Sequence, residues 1–468
     1  MDLHASESVG QQIESLRAEV LQANDLPFQG VLSEEAITRL LTEANVVWPS
    51  RIYTPVVTIR LFLWQCLSAS TNCVAAVARF NTWRMAKGLS AVSSETGAYC
   101  QARAKLPESV LEGMARHAGQ ELDRQAAPKW LWHGRRVKSV DGTMVSTPDT
   151  PANQAAWPQS RNQKPGVGFP LVRVLVIFSL AVGTVLEMAI GPCRGKGQSE
   201  LGLLRSLLPT FSAGDVLLAD RLHCSWFTLA TLKRQGADFV VRANASRRID
   251  YRKGQRLGKR DRSVEWQKPR KPEWMDQEKY DAFPKTLEVR VLRVGVTVKG
   301  FRSRKIDIVT SLMDAEEFPK EEIAKLYRQR WQAELDLRSL KVTLKMDVLR
   351  CKTPEMVRKE LWAHMLAYNL TRTVMAQAAA KHKCKPRQIS FTAALEHLRE
   401  HRSCLATATP AIRQHMATQL LKLIAQHRVG DRPDRIEPRQ RKRRPKPFPL
   451  LQEPRQQARN RMAKNTCN

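Results

Sequence analysis

Apolar residues recur every three or four positions through the first 130 residues, and after that the period changes. EEAITRLLTEA, VVTIRLFLWQCLS, SETGAYCQARAKL and ESVLEGMARHAGQEL repeat at the helical interval, with Pro55 and Pro107 at joints between them. Residues 1–130 therefore read as an all-helical domain. From Trp130 the apolar runs become short and rich in Val, Ile and Leu. RRVKSVDGTMV predicts a short strand running into Asp141, and GDVLLADR a fully apolar strand ending at Asp220. Between them, 170–180 and 184–190 read as two strands joined by a tight turn at 181–184. GQSELGLLRSLL and SWFTLATLKRQGA read as helices, and DFVVRAN as a further strand. The order strand, strand, strand, helix, strand, helix, strand predicts a mixed α/β sheet that begins as a meander. Residues 131–242 form the first part of this core.

Residues 243–315 interrupt it. RRIDYRKGQRLGKRDRSVEWQKPRKPEW is dense in cations around Trp266 and Trp274, and leads into the strand pair TLEVRVLRVGV and SRKIDIVTSLM. This is a basic, β-rich insertion whose aromatics suit stacking on bases, or cap a small β-core. The core resumes over 316–380 and includes the strongly apolar helix ELWAHMLAYNLTRTVMAQAAA. Residues 381–468 form a C-terminal helical region followed by a basic, Pro-broken tail with four consecutive cations, Arg441–Arg444.

The segment EEIAKLYRQRWQAELDLRSLKVTLK contains neither Gly nor Pro and predicts one continuous helix. Tyr327, Arg330, Glu334, Arg338 and Lys341 fall within an arc of about 80° on it. Ile323, Leu326, Leu337 and Leu340 border this stripe on one side, Trp331 and Leu335 on the other. Opposite lies a second polar face with Arg328, Gln329, Gln332, Asp336 and Ser339, read as the solvent side. A helix needs only one wet face, so the walled stripe points to a site. The competing reading is a helix laced with salt bridges among Arg330, Glu334 and Arg338.

Charge names a partner class. The 468 residues carry 77 Lys plus Arg against 45 Asp plus Glu, a net charge of +32 and a pI near 10.2. Such an excess is relieved by a polyanion, and double-stranded DNA is the leading candidate, since each neutralised phosphate releases a counterion. The nine cysteines include no CxxC pair, and His223-Cys224 lacks a second ligand pair, which argues against zinc and fits a reducing cytoplasm. The stretch from Pro170 to Pro192 is long enough to test as a membrane span. It carries Arg173 and Glu187 and is interrupted by Gly183, so it reads as a hairpin and no membrane partner is expected. The opening residues are polar and no signal peptide is expected.

Asp141 and Asp220 are read at the carboxyl ends of strands that can lie side by side in a meander-first sheet. With Glu334 they make three carboxylates without His or Cys, a donor set for Mg²⁺ or Mn²⁺. Two such ions would activate a water or a 3′-hydroxyl and steady the leaving oxygen of an in-line phosphoryl transfer. Tyr327, Arg330, Arg338 and Lys341 would hold the phosphates. Asp149 and Asp215 read as turn residues, Asp307 as part of an alternating strand facing solvent, and Asp336 as part of the wet helix face.

Tyr327-x2-Arg330-x3-Glu334-x6-Lys341 resembles the Y-R-E-K signature of the bacterial insertion-sequence transposases of the IS-four type. Val140-Asp141-Gly142-Thr143 resembles that family's first acidic block, and Ala219-Asp220-Arg221, with Phe227 downstream, its second. The resemblance covers about residues 135–345. It implies a ribonuclease H-like core with an inserted β-rich subdomain and a metal-binding DDE triad of Asp141, Asp220 and Glu334. It also implies cut-and-paste transposition: hydrolysis at the element's ends, a hairpin intermediate in related members, then strand transfer into target DNA. An aromatic of the insertion, Trp266 or Trp274, would stack a flipped base, and a homodimer would hold the paired ends. A bacterial cytoplasmic, nucleoid-associated location follows. The alternative from another class is a catalytically inactive relative that binds DNA as a repressor or architectural protein; a resolvase or nuclease on the same fold is a third.

Overall fold

The computed structural model describes residues 34–46, 48, 52–195, 197–296, 304–430 and 449–466. The polar opening and the Arg441–Arg444 run lie outside the described residues. Five helices come first: α1 (Glu34–Glu43), α2 (Pro55–Leu67), α3 (Cys73–Ala86), α4 (Gly97–Lys105) and α5 (Glu108–Arg124). Pro55 opens α2 behind the N-cap Thr54, whose side chain accepts from the Val57 N–H. Proline suits that position because its missing N–H would have no helical partner there. Helix α3 was not anticipated.

The core follows as β1 (Val137–Ser146), α6 (Pro151–Ala156), β2 (Leu171–Ser179), β3 (Val185–Pro192), α7 (Glu200–Leu207), β4 (Val216–Ala219), α8 (Trp226–Arg234) and β5 (Asp238–Arg242). After these come β6 (Gln255–Gly258), β7 (Asp261–Gln267), α9 (Gln277–Asp281), β8 (Thr286–Val296) and β9 (Arg304–Thr310). One nine-stranded sheet results, ordered β3-β2-β1-β4-β5-β9-β8-β7-β6. The first three strands are an antiparallel meander, β1 pairs parallel with β4, and β4 with β5. The insertion's strands are not a separate sheet: β9 pairs antiparallel with β5 and carries β8, β7 and β6 outward. The apolar stretch from Pro170 to Pro192 is the β2–β3 hairpin, turned at Gly183 with φ +83°. Among the described residues no helix is long and apolar enough to cross a membrane.

Alternation along the strands assigns two faces. Val140, Leu217, Ala219, Phe239 and Val241 pack with α7 and α8 on one side. Val137, Val216, Leu218 and Val240 pack on the other, against Ile323, Leu326 and Tyr327. On that second side, α5 and the long α12 (Pro354–Lys381) cover the meander through Val172, Val174, Val176 and Phe178. The last helices are α13 (Phe391–Thr407), α14 (Pro410–Gln426) and α15 (Arg455–Thr466).

Helix α5 meets β3 without a side chain between them. A Cβ on Gly119 would stand 1.9 Å from the Val185 carbonyl oxygen, which itself accepts from Asn369 Nδ2. Backbone cannot yield there as a side-chain tip can. Gly119→Ala is therefore expected to destabilise by about 1–3 kcal/mol, read as a lower urea midpoint at unchanged slope; an unaltered midpoint would show the α5–β3 approach to be loose.

The segment predicted as one helix is broken. It forms α10 (Lys320–Arg328), a tightened turn at Gln329–Arg330, α11 (Trp331–Arg338) and a π turn (Ser339–Thr343). At the break, the Gln332 and Ala333 N–H groups reach back three residues, to Gln329 and Arg330 carbonyls, where an α-helix would reach four. Asp336 is not on a wet face. It is fully buried, bonded to Arg387 at 2.6 and 2.7 Å, to Tyr368 Oη at 3.0 Å and to Arg372. Trp331 and Leu335, expected to wall the stripe by packing, are instead 49% and 36% exposed.

Candidate active site

Asp141 lies mid-strand rather than at a strand end, since β1 runs on to Ser146 beside β2. It does stand where the β1–β4 pairing stops: the last pair is Ser139 with Leu218. Continuing that register two residues sets Asp141 beside Asp220, on neighbouring strands about 4.8 Å apart. Asp220 keeps extended backbone (φ −80°, ψ −177°), so the alternation carries past the end of β4. By the same parity both aspartates face the side covered by α10 and α11. The β4–β5 register, Leu218 with Val240, places Arg242 next in this row.

Helix α11 packs against β1 and brings Glu334 to that face. Glu334 Oε1 accepts from Arg330 Nη2 at 2.7 Å. The same guanidinium acts electrostatically on all three acids, favouring ionised Asp141 and Asp220 and pairing with Glu334. Burial works against its charge, but the Glu334 bond and the neighbouring Tyr327, Glu334 and Asp141 hold its pKa above the ordinary value. Tyr327 closes the group: it is buried and lies within the fields of Arg330, Arg242 and Asp220. Three segments remote in sequence thus come together, carrying Asp141, Asp220 and the Tyr327, Arg330, Glu334 stripe, and the salt-bridged-helix reading holds for the Arg330–Glu334 pair only as part of this larger group.

The two aspartates are driven apart in acidity, a pattern typical of working sites. Burial, with Glu334 and Asp220 adding repulsion, pushes Asp141 up to about 6 despite the Gly142 N–H and Arg330. Asp220 is also burdened by burial, but the bond and charge of His223, the Leu222 N–H and Arg330 hold it below the usual range. A group whose folded pKa exceeds its ordinary value of 3.8 costs stability as pH rises, fully so above about 6. Asp141→Asn in EDTA is therefore expected to raise the melting temperature at pH 8 and to raise it less at pH 5. An equal gain at both values would mean that Asp141 is not held protonated.

Arg338, exposed at the end of α11, and Lys341, half-buried in the π turn, lie further along the stripe and enter none of these pairs. Trp266 is 7% exposed and stacked under Arg247, whereas Trp274 is 48% exposed with Arg205 at 3.9 Å over its ring. The competing acids serve the scaffold. Asp215 pairs with Lys138 at 2.6 Å, and Asp307 is not a free solvent-facing acid, because it bonds Arg293 and Tyr251. Sequence reasoning missed Arg242 and His223. The equal chain length from Leu218 to Asp220 and from Val240 to Arg242 was the available signal for the first.

The model of the transposase DDE domain matches residues 132–370, just over half of the chain. Transposase InsG for insertion sequence element IS4, from Escherichia coli strain K12, is 28% identical over 355 residues, covering 75% of this chain and 77% of that protein. The chain belongs to the IS4-type DDE transposases. The transposase for insertion sequence element IS421 of Escherichia coli shares 42% identity over 60 residues, 13% of this chain and 16% of that protein. The domain match begins just before β1 and ends within α12, so it contains every residue of the group around Arg330. As a DDE transposase the protein is an enzyme of DNA cleavage and strand transfer.

Divalent metal ions are general in this family. Among the described residues no three His, Cys, Asp or Glu side chains stand close enough together, as placed, to hold an ion. The chemistry of the donors nevertheless fits a cation. Asp141 is held beside Asp220 and Glu334 at a cost in ionisation, and the charge that relieves it here is a guanidinium engaged with the third acid.

Proposed function

We propose that Asp141, Asp220 and Glu334 are the catalytic triad, on a ribonuclease H-like core formed by the β3-β2-β1-β4-β5 part of the sheet. The observation that carries this reading is Arg330, whose charge acts on all three carboxylates at once. The triad would hold Mg²⁺ or Mn²⁺, two ions in this reading. When bound, the ions would supply an activated oxygen nucleophile and a counter-charge for the leaving oxygen. Asp141, the acid that most readily keeps its proton, gains most from a bound cation.

The remaining residues orient DNA. Tyr327 and Arg330 hold the phosphate beside the acids, with Arg242 reaching it from β5. Arg338 and Lys341 extend the grip along the backbone, where Lys and Arg neutralise phosphates without reading sequence. Both insertion tryptophans carry an arginine over one face, so exposure separates them: Trp274, 48% exposed, is the better platform for an extruded base than buried Trp266. The helices before residue 131 and the basic insertion over 243–315 would bind element ends, the helical region after 380 would support the core, and two copies would pair the ends. The expected setting is the nucleoid of a bacterial cytoplasm.

The reading predicts that DNA carrying the gene with its natural flanks is nicked at two fixed positions by the purified protein in Mg²⁺, and not in EDTA. Tight binding without cleavage in Mg²⁺ or Mn²⁺ would instead establish an inactive, DNA-binding relative.

A further inference from the structure

Immediately after β4 the chain makes a 3₁₀ turn, Arg221–His223, capped by Asp220. Both recorded bonds to the Asp220 carboxylate fall on one oxygen: Oδ1 accepts from the Leu222 N–H at 2.9 Å and stands 2.9 Å from His223 Nδ1. An ionised carboxylate only accepts, so Nδ1 carries the hydrogen and donates. That leaves Nε2 as the ring's second polar atom. His223 is 1% exposed, and among the described residues its Nε2 has no hydrogen-bond partner. A residue kept only to fill the core would not leave a buried polar atom unmet, because an apolar side chain of similar size fills the space without that cost.

We propose that His223 is a positioning residue: its Nδ1–H fixes the rotation of the Asp220 carboxylate and leaves Oδ2 free to turn to the cation. The proposal rests on the reading of Asp220 as a metal-holding acid. Its logic is general, since groups that hydrogen-bond a metal's ligands set their orientation and basicity. Sequence spacing alone gives no hint of it. A histidine three residues after an acid is common, and only the tight turn folds its ring back onto the carboxylate.

The test uses the full chain and Mn²⁺ as probe, with free Mn²⁺ followed by electron paramagnetic resonance in the absence of DNA. Cleavage is followed in parallel across a Mn²⁺ titration. His223→Leu is expected to weaken Mn²⁺ binding by about 10- to 100-fold. The Mn²⁺ needed for half-maximal cleavage should rise by the same factor, while the rate at saturating Mn²⁺ is largely retained. His223→Asn, whose amide nitrogen can occupy the place of Nδ1, should restore most of the affinity; His223→Gln, reaching the place of Nε2, should not. Wild-type Mn²⁺ affinity in a folded His223→Leu protein overturns the proposal. If the Leu variant does not fold, equal affinities of the Asn and Gln variants overturn it. Asp220→Asn separates the two levels: unchanged Mn²⁺ binding there refutes the metal-holding role of Asp220 itself.

Discussion

Glu334→Gln abolishes metal-dependent cleavage while DNA binding stays within about twofold of wild type. The side chain keeps its length and an amide oxygen, so the 2.7 Å approach of Arg330 Nη2 survives as a neutral hydrogen bond. The negative charge is what disappears. A metal ion at such a site stabilises the transition state by several kcal/mol, so the expected loss is roughly 10³-fold or more in cleavage rate. DNA affinity comes from the cations of a chain with net charge +32, and removing one carboxylate from their midst does not weaken it. Single-turnover cleavage and a binding isotherm at one salt concentration separate the two effects. If binding and cleavage fell together, Glu334 would be holding the fold rather than the reaction.

The second large effect concerns stability. Asp336→Leu leaves Arg372 and Arg387, 6% and 13% exposed at their side chains, without their shared counter-charge. Breaking one side of a buried ion group costs about 3–5 kcal/mol, to be read from urea unfolding. The consequence reaches the site. Arg387 also donates to the carbonyls of Ser179 and Leu180, at the end of β2 and just beyond it, so Asp336 ties α11 to the β2–β3 hairpin. Glu334 sits two residues away on the same helix. A loss under about 1 kcal/mol would mean that the cluster is wet and that the arginines find other partners.

Both predictions concern one helix that the sequence describes well on one face and badly on the other. The Tyr327, Arg330, Glu334 stripe was legible because helical spacing collects polar residues between apolar flanks. Asp336 carried the same kind of signal, a charged residue on a polar arc, yet it is buried. Nothing local distinguishes a solvated carboxylate from one met by two arginines lying far downstream, because its partners arrive only when α12 and the segment after it pack. The break at Gln329–Arg330 escaped for a related reason. No Gly or Pro marks it, and only three-residue backbone bonds betray it.

The insertion shows the same limit. Its strands were expected from alternating Val, Ile and Leu, and they are there as β8 and β9. Alternation reports that a strand has a buried face and is silent on which neighbour it pairs with. The pairing of β9 with β5 makes the insertion an extension of the core sheet.

Legible in the chain alone were most of the elements, the mixed sheet with a meander first, the charge that calls for DNA and the family resemblance. Those are properties of spacing and composition, carried within short windows or by residue types alone. How the acids are arranged came from tertiary packing alone: the parallel register of β1 with β4, the Arg330–Glu334 pair set in the field of the two aspartates, and the turn that lays His223 on Asp220. Each depends on a contact between segments whose separation along the chain says nothing about their distance in space.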